Sequence, residues 1–75
     1  MKKLYEVRIN KVEPNYGRPT DPKHVAWVTD ERKAYKIAGK LMNELVCRPY
    51  WWMDIATDAD GMPDVVVVEM GELVE

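Results

Sequence analysis

Serine is absent from the 75 residues, and histidine and cysteine occur once each, as His24 and Cys47. Ser-His-Asp hydrolysis is therefore excluded within one chain, and a four-ligand zinc site nearly so. A Cys47–His24 dyad is the one nucleophilic pair left on residue type, but the thiol follows an apolar helix end and the histidine sits beside a proline-rich loop. Cys47 reads better as a partly buried small apolar residue and His24 as a solvated strand edge. Gly17, Gly39, Gly61 and Gly71 are isolated, so the chain holds neither a P-loop nor a dinucleotide fingerprint.

Carboxylates are the most plentiful reactive groups. Asp58-Ala59-Asp60-Gly61 matches the Asp-x-Asp-Gly part of a calcium loop, but that register puts Ala56 first and Val67 last, where an aspartate and a bidentate glutamate are required. An acidic hairpin turn is the simpler reading. An enzyme working through Asp54 and Asp58 alone has no further support. The expectation is a protein that is not an enzyme, with no catalytic residue, metal site or cofactor.

Composition points to a folded domain. Apolar residues at 47% and charged ones at 32% lie away from the composition of disordered chains. Seventy-five residues make one domain, spanning 1–75, with little area to spare for a deep pocket. A lone cysteine fits a reducing, cytoplasmic setting, because oxidising compartments staple domains this small with several bridges. The longest apolar run, Val65 to Val68, is far short of the roughly 20 residues of a membrane span, and no targeting signal is visible. The net charge of −2 conceals a division along the chain: all eleven Lys and Arg lie at or before Arg48, giving +5 there, whereas residues 50–75 carry seven acids and no base.

Four strands and one helix are predicted to position these groups. Leu4 to Val12 alternates Tyr5, Val7 and Ile9 against Glu6, Arg8 and Asn10, the period of a half-buried strand. Glu13 to Lys23, with three prolines and Gly17, reads as a long loop. Val25 to Val28 is a short second strand whose inward face is ambiguous. Thr29-Asp30 supplies N-cap chemistry for a helix whose stripe is Ala34, Ile37, Ala38, Leu41 and Leu45, stopped near Cys47 by Pro49. Gly39 shares another helix side with Tyr35, Met42 and Val46, and is either a tolerated glycine or the centre of a helix–helix contact across a dimer.

Asp60-Gly61 is the strongest hairpin signal. Taken as a two-residue turn, it pairs Ile55 with Val66, Met53 with Val68 and Trp51 with Met70 on an inner face, and Ala56 with Val65, Asp54 with Val67 and Trp52 with Glu69 on an outer one. The predicted fold is α+β, in the order β-β-α-β-β, with one helix on one face of a mainly antiparallel sheet of about four strands.

The functional expectation is a protein–protein interaction module, an inhibitor or adaptor. Its docking surface would hold Trp52 with Tyr50, Val65 and Val67, ringed by Asp54, Glu69 and Asp58, and its partner would be another protein with a basic surface. In size, acidity and lack of catalytic residues the chain is similar to small phage or mobile-element proteins that block host defence complexes, although no motif ties it to such a family. One alternative is a structural homodimer in which the uncovered faces meet. Another is a weak nucleic-acid binder using the basic first strand and helix, against which the acidity around the exposed aromatics argues.

Overall fold

The computed structural model describes residues 2–47 and 54–73. Tyr50, Trp51, Trp52 and Met53, placed above in the predicted hairpin and docking surface, lie outside them. The chain runs β1 (Lys2–Val12), β2 (Pro19–Val28), α1 (Glu31–Val46), β3 (Val65–Leu73). The strands form one sheet in the order β2-β1-β3, with β1 antiparallel to both neighbours. β2 and β3 therefore run parallel to each other, and α1 is the crossover that carries the chain from one edge of the sheet to the other. Among the described residues no helix is long and apolar enough to cross a membrane.

The alternation in β1 divides the molecule. Tyr5, Val7 and Ile9 are buried on the side that α1 covers, with Val7 fully enclosed. Ala34 and Ala38 are the buried residues of α1 and form one cluster with Tyr5 and Val7, against which Val28, Ile37, Val65 and Val67 pack. The two alanines let the helix settle close to the central strand, and burying a side chain the size of Val7 contributes about 1.5 to 3 kcal/mol before entropy. Asp30 caps the helix by accepting a hydrogen bond from the Arg32 backbone N–H at 3.0 Å. At the other end, Cys47 donates its backbone N–H to the Asn43 carbonyl.

β2 begins inside the stretch that reads as a loop. Pro19 pairs with Val12 and Thr20 with Lys11, so the connection narrows to a turn closed between Glu13 and Arg18. Proline is tolerated here because β2 is an edge strand, where a missing N–H interrupts no second ladder.

The larger correction concerns the acidic turn. Asp58 accepts the Gly61 N–H and donates its own N–H to Met62, while Asp64 donates to Ala56. Gly61 takes φ +78°, the left-handed conformation of a glycine bulge, so the turn contains three residues and the register moves by one. Its base is closed by an antiparallel bridge between Thr57 and Pro63. Val12 donates to Asp54 and Ala56 to Asn10, then Asn10 donates to Asp64, and β3 continues along the same edge of β1. Residues 57–63 are thus an excursion from one line of chain. Among the described residues the sheet has three strands in the order β-β-α-β; Trp51 to Met53, which the fourth predicted strand needs, lie outside them.

A one-residue change of register exchanges the faces of a strand. Val65 stands opposite Ile9 and Val67 opposite Val7, both on the helix side, whereas Val66 and Val68 stand opposite Arg8 and Glu6 on the open side. Four consecutive valines carry no alternation of their own, so the assumed turn alone had assigned their faces, and it assigned them in reverse.

Candidate functional site

On the open face of the sheet, Glu6 occupies the middle strand between Trp27 on β2 and Val68 on β3. The next row holds His24, Arg8 and Val66. Glu6 is 5% exposed, a burial that carboxylates adopt only when paired. Its two oxygens are both engaged: Arg8 Nε donates to Oε1, and His24 Nδ1 lies 2.6 Å from Oε2. An ionised carboxylate only accepts, so Nδ1 is the donor in that contact. Burial pushes the Glu6 pKa up, but the hydrogen bonds and charges of Arg8 and His24 outweigh it and hold the group below the usual carboxylate range.

A bulge in β2 assembles this group. Between the pairs Val7–Ala26 and Arg8–His24, Val25 is the extra residue. Without it, His24 and Trp27, three apart, would fall on opposite faces; with it they share the open face, ring centroids 4.7 Å apart. The chain of contacts therefore runs from a buried carboxylate through an imidazole to an indole that remains 51% exposed. Met70, beside a second bulge in β3, lies with its sulfur 3.5 Å from Arg8 Nη2 and is itself 44% exposed.

Of the residues predicted from sequence, Val65, Val67, Asp54, Glu69 and Asp58 are described, and each has contacts of its own. Val65 and Val67 are half-buried against the core. Glu69 is exposed and lies 3.2 Å from the Lys3 ammonium. Asp54 pairs with Lys11 at 3.0 Å, and that hydrogen bond holds its carboxyl below the usual range against the opposing effect of burial. With Lys11, Lys23, Ile9, Leu45 and Ile55 it lines a cleft of about 220 Å³ on the helix side of the sheet. Asp58 spends its Oδ1 on the backbone N–H groups of Asp60 and Met62, at 2.9 and 3.0 Å, which makes the turn self-contained. Trp52 and Tyr50 are outside the described residues.

His24 is exposed, as expected of a strand edge, but it is also tethered to Glu6. Cys47 is exposed at the helix end, not partly buried. The alternation of β1 did place Glu6 and Arg8 on one face; nothing local announced the bulge that adds His24 and Trp27. Among the described residues, no three His, Cys, Asp or Glu side chains converge as a metal site would require. No family model matches the chain, and comparison with curated proteins and with solved structures returns no match.

Proposed function

We propose that the chain is a non-enzymatic protein-interaction module whose open sheet face docks on a partner with a basic surface. The observation that carries this reading is Trp27, half accessible yet stacked on a histidine that is tethered to a buried carboxylate. An aromatic side chain held in place before binding has little freedom left to lose, and such anchors dominate the energetics of many interfaces. Across the Glu6–Arg8 centre, on β3, Met70, Val66 and Val68 add apolar surface to the same face.

Charge selects the partner. Glu6 and Arg8 neutralise each other at the centre of the face, while the turn and its exit carry Asp58, Asp60 and Asp64, with no base among residues 54–72. A surface with lysines and arginines around an apolar recess complements that arrangement. Proteins that handle nucleic acid offer such surfaces, and an inhibitor or adaptor that occupies one by mimicking the acid's charge is the specific form proposed. The absence of an enzymatic role is supported by how the reactive groups are used: both Glu6 oxygens, the Asp54 carboxylate and Asp58 Oδ1 are engaged in internal bonds.

The chain as bait in a lysate of its source cells tests this, provided the retained protein is purified and titrated. Trp27→Ala is expected to weaken binding about thirtyfold or more, the roughly 2 kcal/mol of a hot-spot residue. Asp58→Asn with Asp60→Asn is expected to flatten the dependence of affinity on salt. Unchanged affinity for Trp27→Ala contradicts the proposal.

A further inference from the structure

The helix presents a second face that the sheet does not use. Tyr35, Gly39, Met42 and Val46 recur at the spacing of one helix side, next to the buried alanines. Tyr35 is 59% exposed and Val46 40%. Gly39 lies between them in the middle of a 16-residue helix, where glycine costs about 1 kcal/mol relative to alanine. Among the described residues nothing repays that cost, because a Cβ built on Gly39 meets none of their atoms within 4 Å. A glycine that lowers helix stability while touching nothing is what close approach by another molecule requires.

We infer that this face pairs with the same face of a second copy of the chain, the two helices running antiparallel about Gly39. A two-fold axis there sets Tyr35 opposite the second copy's Asn43, with its ring over the hole bounded by that copy's Gly39, Met42, Asn43 and Val46. The same fit repeats in the other direction, as a closed two-fold interface demands. Charge agrees with the orientation. The last turn of α1 holds no base, so the partial negative charge of its carbonyls lacks a counter-charge from that turn. Antiparallel pairing brings the second copy's Arg32 opposite Val46, at that helix end. Among the described residues Arg32 makes no ion pair of its own. Knob, hole, base and a last turn without a base all come from one chain at mutually fitting positions, which favours a second copy over an unrelated helix. The surface lies on the other side of the sheet from Trp27, so the inference does not depend on the proposed function.

Sedimentation velocity across a range of concentrations, combined with thermal melts of dilute protein, tests it. Wild type is expected to dimerise with rising concentration. Gly39→Ala is expected to raise the melting temperature of the dilute chain, since alanine favours the helix and meets no neighbour, and at the same time to raise the dimer dissociation constant about tenfold or more. Tyr35→Ala is expected to abolish the dimer, and Trp27→Ala to leave it unchanged. A chain monomeric at every concentration overturns the inference. So does a dimer that is indifferent to both helix substitutions, or one that Trp27→Ala dissolves.

Discussion

Glu6 decides how the open face is built, because a carboxylate this buried is stable only while both its oxygens are occupied. Arg8 comes from the same strand, but His24 must be delivered from β2, and only the Val25 bulge delivers it. The consequence is measurable as pH dependence. Since the folded pKa of Glu6 is lowered, its pairing stabilises in full above the ordinary carboxylate value of about 4.3 and fades as pH falls through the lowered value. Thermal melts from neutral to acid pH should therefore show wild type losing its advantage over Glu6→Gln as the solution is acidified. The two curves should run apart at neutral pH and converge in acid. Parallel curves would mean that the carboxylate charge contributes nothing to the fold.

Secondary-structure elements explain why some of this architecture was readable in advance. The helix and β1 were legible because their periods are strong: Asp30 caps as expected, and Tyr5, Val7 and Ile9 take the inner face. β3 was legible as a strand but not as to its faces, because Val65 to Val68 has no alternation and the Asp60-Gly61 turn adopts a three-residue form. β2 was only half legible, its first residues concealed by Pro19 and Pro22 and its bulge by the absence of any special residue at Val25. Two substitutions test the elements directly. Ala34→Leu forces a larger side chain between α1 and Val7 and should destabilise by about 1 to 3 kcal/mol in denaturant unfolding. Gly61→Ala places a Cβ in the left-handed region and should cost about 1 to 2 kcal/mol, even though the space around that position is open. A neutral Gly61→Ala would refute the three-residue turn.

At the scale of the whole molecule, the three-stranded sheet separates two surfaces of different character. One is the helix side, with the core and the Tyr35–Gly39 stripe; the other is the open face, where an ion-paired centre lies between Trp27 on β2 and Met70 on β3. Charge divides along the chain, basic through α1 and acidic from Asp54 onward. The most direct test of the open face as a docking surface is the indole N–H resonance of Trp27, assigned through Trp27→Phe and followed in nitrogen-edited NMR while the captured partner is added. The resonance is predicted to shift or broaden in proportion to the bound fraction. Saturated binding that leaves the Trp27 indole where it stands in the free protein contradicts the account.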